Sequence, residues 1–357
     1  MLSGYSALNQ GHCHPKIAAA LKAQLDQLTL TSRAFYNDKM GFFLEKICKL
    51  TGYEKALPMN SGAEAVETAI KVARKWGYNE KKVAENRAEI VVCENNFHGR
   101  TTTIVGFSSE LRYRKGFGPF TPGFKMIPYD DAQALEKAIN ENTVGFLVEP
   151  IQGEGGVVVP ADGYLKKCQD ICKKNSVLLI ADEIQTGLGR TGKLFACEYE
   201  DIRPDILIMG KALSGGFYPV SAIACDNNIM RVIKPGDHGS TFGGNPLASA
   251  VGMAALDVIT EEKLWVNAHD VGNWFMSELR KIHSPIVREV RGKGLLIGVV
   301  LTVKARPYCE RLMELGILAK ETHDMVVRFA PPLIIKQENL EWALPKIAEV
   351  LKTPATA

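Results

Sequence analysis

No stretch of the 357-residue sequence stays apolar for the roughly 20 residues that a membrane span requires. The opening Met1-Leu2-Ser3-Gly4-Tyr5 lacks a basic segment followed by an apolar one, so no signal peptide is expected and the cytoplasm is the expected compartment. Charge of one sign is also missing. Lys and Arg number 43 against 40 Asp and Glu, and a net +3 is too small to imply a nucleic-acid surface. The eight cysteines are scattered. Cys168 and Cys172 lie one helical turn apart, but no second close pair of Cys or His completes a metal site. All eight are expected to be reduced thiols, and no metal is expected. There is no internal repeat and no low-complexity tract. What remains is ordinary globular composition, 46% apolar and 23% charged, in a chain long enough for two domains.

Apolar runs bounded by turn residues alternate with amphipathic stretches. Strands are expected at 89–93, 144–148, 177–181, 205–209 and 220–224, and helices at 15–28, 63–78, 163–174, 246–260 and 264–282. This alternation predicts an α/β fold with a mostly parallel sheet and helices on both faces. After 267 the pattern changes to strands at 287–290, 295–301 and 325–329 with helices near 306–315 and 337–351. That predicts a smaller α+β domain, with the tail at 353–357 frayed.

The chemistry begins at Lys211. An apolar run at 205–209 leads through Gly210 into Lys211 and a turn of small residues, Ala212-Leu213-Ser214-Gly215-Gly216. At the edge of a core an ammonium loses water, which favours the neutral amine, a nucleophile toward carbonyls. Taken alone, Lys211 reads better as a lysine that ends a strand and reaches solvent. Asp182 changes the balance. It follows five apolar residues, 177–181, and belongs at the carboxyl end of a buried strand, where ligands of open α/β sheets gather. A buried carboxylate needs a cationic partner. A reactive lysine and an aspartate facing a pyridinium nitrogen are the protein's share of pyridoxal phosphate chemistry. A helix cap explains Asp182 alone but not the pair.

Other segments fit around that pair. Asn60-Ser61-Gly62-Ala63-Glu64 opens a helix, with Ser61 as cap, Gly62 for close approach and Glu64 at the positive dipole end, a place for a phosphate. Any capped helix could begin this way. Gly239-Ser240-Thr241-Phe242-Gly243-Gly244 offers hydroxyls and glycines to an anion, or is a plain loop. In Asn96-Phe97-His98-Gly99-Arg100, Phe97 could stack on a ring, His98 could be a ring neighbour or a satisfied turn histidine, and Arg100 could clamp a carboxylate or make a surface ion pair. Arg328 sits between apolar residues ahead of Pro331-Pro332, as a buried pair or a carboxylate receptor. Glu154, in a glycine-rich loop, is its candidate partner. Tyr5 either lines a pocket or only packs.

With these residues in this order, the sequence resembles the class III aminotransferases of fold type I, which use pyridoxal 5′-phosphate (PLP). Within that class it looks most like the ornithine branch. Segments 5–15, 29–36, 116–120, 148–154 and 328–332 carry the likeness along nearly the whole chain. The resemblance implies a seven-stranded, mostly parallel sheet in a large domain at 36–266. It also implies a small-domain remnant at 1–35, a C-terminal small domain at 267–357 and a further segment ahead of Met1. A targeting segment there would point to the mitochondrial matrix instead of the cytoplasm.

The resemblance also assigns roles. Lys211 carries the cofactor covalently and moves the proton, and Asp182 holds its ring nitrogen. Gln185 bonds the ring phenolic oxygen, and Phe97 stacks on the ring beside His98. Ser61, Gly62 and Ala63 bind the phosphate, and Ser240 and Thr241 reach the phosphate of a partner subunit in a homodimer. Tyr5 and Arg100 hold the α-amino and α-carboxylate ends of ornithine. Arg328 takes the α-carboxylate of 2-oxoglutarate, with Glu154 covering it for ornithine. Alternatives left open are an acetylornithine or 4-aminobutyrate aminotransferase and a form impaired by truncation.

Overall fold

The computed structural model describes residues 1–32 and 34–352. Arg33, in one of the segments that carry the resemblance, and the expected fraying at 353–357 lie outside the described residues.

Seven strands form the larger sheet: β1 (Lys55–Met59), β2 (Glu89–Cys93), β3 (Phe124–Ile127), β4 (Thr143–Val148), β5 (Leu178–Asp182), β6 (Ile206–Met209) and β7 (Ser221–Cys225). Their spatial order is β1-β7-β6-β5-β4-β2-β3. Pairing is parallel from β3 through β6, and β7 runs antiparallel to both β6 and β1. Both β4 and β5 are buried at every position, as a strand covered on both faces must be.

The strands that the pattern does not predict are edge strands. β1 carries exposed Lys55 and the donor-less Pro58, which an edge tolerates, and β3 buries only Ile127. From β2 the chain goes outward to β3, then returns to β4 on the other side of β2. The strand order therefore reverses between β2 and β4, which in open α/β sheets marks the ligand crevice at the carboxyl ends.

The helix Gly62–Asn79 crosses this sheet. Its start is fixed by a reciprocal cap: Ser61 Oγ accepts from Glu64 N at 3.2 Å, and Glu64 Oε2 accepts from Ser61 N at 2.9 Å. Its apolar face, Val66, Ala69, Ile70 and Ala73, is buried against the sheet. Gly77 lets helix and sheet close up, since a Cβ there would stand 2.2 Å from Val144 Cγ1.

The smaller sheet is β8 (Val287–Lys293), β9 (Leu296–Leu301), β10 (Lys320–Thr322) and β11 (Val326–Phe329), antiparallel in the order β10-β11-β9-β8. The helices Leu264–Arg280, Arg306–Glu314 and Gln337–Lys352 share its apolar core. The chain start joins it, with Leu2 bridging Ala330 and Ala330 N donating to Met1 O at 3.1 Å.

Arg190, fully buried, ties the parts together. Its Nη1 donates to Leu295 O (2.9 Å) and Pro331 O (2.6 Å), and its Nη2 to Ser3 Oγ (2.9 Å) and Asn9 Oδ1 (2.6 Å). Burial pulls its pKa down to about 9, with the Arg328 charge adding to the effect. No described helix is long and apolar enough to cross a membrane.

Candidate active site

Four strand ends converge at the crevice. β5 ends on Asp182, β6 leads through Gly210 to Lys211, β4 is followed by Glu149, and β2 by Phe97 and His98. They line a cavity of about 180 Å³ together with Gly62, Ala63 and Gln185. Asp182 Oδ2 accepts from His98 Nδ1 at 2.7 Å, and Oδ1 accepts from Ile184 N at 3.1 Å. Burial alone would lower the His98 pKa, but the bonded Asp182 carboxylate and nearby Glu149 outweigh it and raise the value. His98 is thus neither exposed nor a plain turn residue. It braces Asp182 through Nδ1, and among the described residues its buried Nε2 has no partner.

Glu149, fully buried, accepts from Phe97 N at 3.0 Å. Burial pushes its pKa up to about 7, reinforced by Asp182 and opposed by His98. Lys211 lines the 180 Å³ cavity, an outer one of about 640 Å³ and a third of about 320 Å³, so it stands where they meet. Its φ of 44° is left-handed, a strained conformation for a residue with a Cβ. Burial lowers its pKa, and Asp182 and Glu154 recover only part. A neutral amine is therefore within reach at lower pH than for an exposed lysine.

The outer cavity gathers the candidate substrate residues Tyr5, Arg100 and Glu154. Tyr5, Phe97, Arg100, Tyr113 and Glu154 line it with Lys211. β11 carries Arg328, which lies behind the lining and contacts two residues of it, Glu154 and Tyr5. Arg328 is 1% exposed, and its Nη1 donates to Glu154 Oε1 at 2.6 Å and to Gln185 Oε1 at 3.3 Å. Among the described residues its buried Nη2 has no hydrogen-bond partner, and the Tyr5 ring lies 5.0 Å from the guanidinium carbon. The Glu154 loop is anchored where Thr322 Oγ1 donates to Glu154 O at 2.7 Å. A Cβ at Gly153 would fall 2.0 Å from Gln185 Oε1, so a larger residue there would displace the Gln185 amide.

Arg100 is exposed. Among the described residues it has no carboxylate partner, and it stacks on aromatic rings instead. Ser240 Oγ accepts from the chain's own Asn60 Nδ2 at 2.8 Å and from Gly243 N at 3.1 Å, which leaves Thr241 exposed beside the start of the phosphate-type helix.

The sequence matches the aminotransferase class-III family over residues 1–351. The chain belongs to the class-III aminotransferases.

The ornithine aminotransferase of Bacillus subtilis (strain 168) is 61% identical over 352 residues, 99% of this chain and 88% of that protein. An ornithine aminotransferase structure from Toxoplasma gondii, described with partial occupancy of PLP at its active site, superposes with a TM-score of 0.96. It is 47% identical and covers 98% of this chain and 84% of its own. An acetylornithine aminotransferase structure from Elizabethkingia anophelis is 53% identical with a TM-score of 0.89, covering 98% of this chain and 88% of its own.

As a class-III aminotransferase the chain is a PLP-dependent transaminase of fold type I, and its residues fit the cofactor. The helix start has free first-turn N–H groups at Gly62 and Ala63, suited to a phosphate. A Cβ at Gly62 would meet Ile184 Cδ1 at 2.9 Å, so glycine lets the helix start pack against Ile184 without displacing it. The cavity walled by Phe97 has a carboxylate, Asp182, already oriented by His98, and a desolvated lysine in its lining. Glu149 and Tyr113 were missed by the sequence reading. The rule that singled out Asp182, a carboxylate directly after a buried strand, applies equally to Glu149 after β4. Tyr113 gives no sequence signal.

Proposed function

We propose that the chain is an ornithine:2-oxo-acid aminotransferase, which moves the δ-amino group of ornithine to 2-oxoglutarate and yields glutamate 5-semialdehyde and glutamate. The observation that carries this reading is the Glu154–Arg328 pair at 2.6 Å together with an Arg100 that has no carboxylate partner among the described residues. The two substrates put their carboxylates in different places. Ornithine reacts at its far amine and glutamate at the amine next to a carboxylate, so one arginine cannot orient both. With Glu154 on Arg328, the inner receptor is neutralised. Ornithine's α-carboxylate is left to Arg100, its α-amine to Tyr5, and its δ-amine reaches inward to Lys211. For 2-oxoglutarate, Glu154 swings aside and Arg328 takes the α-carboxylate through its fork.

When bound, PLP supplies an electron sink for negative charge on the carbon next to the reacting nitrogen. Gly62 and Ala63, beside the Ser61 cap, would hold its phosphate. Phe97 would stack on its ring, Gln185 would hydrogen-bond the phenolic oxygen, and Asp182, oriented by His98, would hold the ring nitrogen. Lys211 would bind the cofactor and, as a neutral amine, would serve as the proton carrier.

The active form on this reading is a homodimer in which Ser240 and Thr241 reach the partner's phosphate. Supporting it, Phe35, Tyr36, Phe42 and Phe242 are exposed, and Asn37 Nδ2 donates to Gly244 O at 3.4 Å, which joins their two segments. The 53% identical acetylornithine aminotransferase favours a second reading in which the outer cavity admits the acylated amine. Single-turnover absorbance of the PLP-loaded protein with ornithine, N-acetylornithine and 4-aminobutyrate in turn separates these. Ornithine is expected to be fastest, and a faster N-acetylornithine would replace the first reading by the second.

A further inference from the structure

One ring in the outer cavity has no part in the scheme above. Tyr113 lies in the short turn Leu111–Arg114 between β2 and β3 and lines the cavity together with Arg100 and Phe97. The Arg100 guanidinium carbon stands 4.1 Å over the Tyr113 ring centre and 5.5 Å over that of Phe97. The two rings meet edge to face, with centroids 6.0 Å apart and planes at 80°. Arg100 therefore sits in the corner of two nearly perpendicular rings. The neighbouring Arg112 does not compete with it, because its Nε and Nη2 are both held by Glu110, at 3.0 and 2.9 Å.

We infer that Tyr113 is a positioning residue for ornithine recognition: stacked on the Arg100 guanidinium, it fixes the plane of that group so that its hydrogen-bonding edge is presented to a substrate carboxylate. The inference rests on the reading of Arg100 as the α-carboxylate receptor. A long, exposed arginine gives up rotamer freedom when it clamps a ligand. A guanidinium already held over an aromatic face has lost much of that freedom before the ligand arrives. The cost falls on binding and not on the chemical step, which lies beyond Phe97 at Lys211.

The test uses the PLP-loaded protein. Tyr113→Leu keeps apolar bulk without the π face, Tyr113→Phe keeps the face without the hydroxyl, and Tyr113→Met replaces the leucine variant should that fail to fold. Tyr113→Leu is expected to raise the KM for ornithine roughly three- to tenfold with kcat within about twofold. It should weaken calorimetric binding of pentanoate, which has the carboxylate but neither amine, by the same factor. Tyr113→Phe should restore both values.

In an Arg100→Ala background, Tyr113→Leu should add nothing. If Arg100→Ala weakens ornithine and Tyr113→Leu does not, the inference fails while the Arg100 reading stands. If Arg100→Ala leaves ornithine and pentanoate unchanged, the Arg100 reading fails and takes the inference with it. Equal losses in the leucine and phenylalanine variants would assign the effect to the hydroxyl and overturn the stacking role.

Discussion

The two halves of the site are built on opposite plans. On the cofactor side Asp182, His98 and Glu149 are each no more than 5% exposed, sit at or just after the ends of parallel strands, and are held by hydrogen bonds of 2.7 to 3.0 Å. On the substrate side Tyr5 is 43% exposed, Arg100 is exposed, and Glu154 rides a glycine-rich loop. Only Arg328 there is on a strand. The rigid half serves a group that is the same in every turnover. On the proposed reaction the mobile half must accept two substrates that differ in charge and in where their carboxylates lie, so the contact of Glu154 with Arg328 has to be breakable. Strand ends supply precision and loops supply choice.

The comparison breaks hardest at Lys211. Lys211→Ala should reduce turnover to background, a loss of at least about 10²–10⁴, the usual range for one acid–base group, because covalent attachment goes as well. The fold should survive, since removing a desolvated amine relieves a burial cost. Circular dichroism together with stopped-flow absorbance would check both, and near-parent turnover of ornithine would dismiss the catalytic assignment.

Asp182→Asn tests the rigid half without emptying it. The amide keeps the shape but cannot favour a protonated ring nitrogen, and His98 loses its anionic partner. A drop in kcat on the order of 10²-fold is expected, with a smaller loss in cofactor retention, because the contacts at Gly62 and Ala63 remain. Dialysis against buffer followed by absorbance gives the retention. Full activity with cofactor bound would show that Asp182 does not face the ring nitrogen.

How much of this the sequence discloses follows the same division. Buried parallel strands announce themselves as continuous apolar runs, so β2, β4, β5 and β6, and with them Asp182 and Lys211, are legible to within about one residue. Edge strands do not. β1 hides behind Lys55 and Pro58, and β10, at Lys320–Thr322, is three polar residues with no apolar one to mark it. Pairing between remote segments is not written locally. Arg328 and Glu154 are each visible as odd residues, but their meeting depends on how β11 packs against the loop after β4. Arg190, which fastens Ser3, Asn9, Leu295 and Pro331, lies in Thr186-Gly187-Leu188-Gly189-Arg190-Thr191, where nothing marks it as buried.

On the mobile half, Arg100→Ala should slow the ornithine half-reaction far more than the glutamate one. Losing one charge-assisted fork costs about 1.5–3 kcal/mol, or roughly ten- to a hundredfold. Glu154→Ala should act in the other direction, leaving Arg328 bare and speeding the reaction of α-amines. Single-turnover rates with ornithine and with glutamate decide it. Equal slowing of both donors by Arg100→Ala would erase the division of labour and favour a pocket for another ω-amine.

The smallest effect probes the rigid half through proton linkage. A carboxyl that is ordinarily ionised above about pH 4.5 is held protonated up to about 7 at Glu149. Between those values the folded chain binds a proton that the unfolded chain has released, so stability falls as pH rises through that window and levels off above it. The slope is at most about 1.4 kcal/mol per pH unit for one group. His98 acts in the same sense. Its raised pKa contributes stability that is fully present below the unfolded value and is lost as pH rises through the folded one. Glu149→Gln keeps an oxygen to accept from Phe97 N but cannot ionise. It also removes one of the neighbours that raise His98. The variant's unfolding temperature, measured on cofactor-free protein from pH 5 to 8, should therefore decline less than the parent's, with the two curves diverging between pH 5 and 7. Parallel curves would mean that Glu149 is ionised in the folded protein throughout. The buried triad would then be a fixed pair of carboxylates clamping a cationic histidine, and not a site that trades a proton.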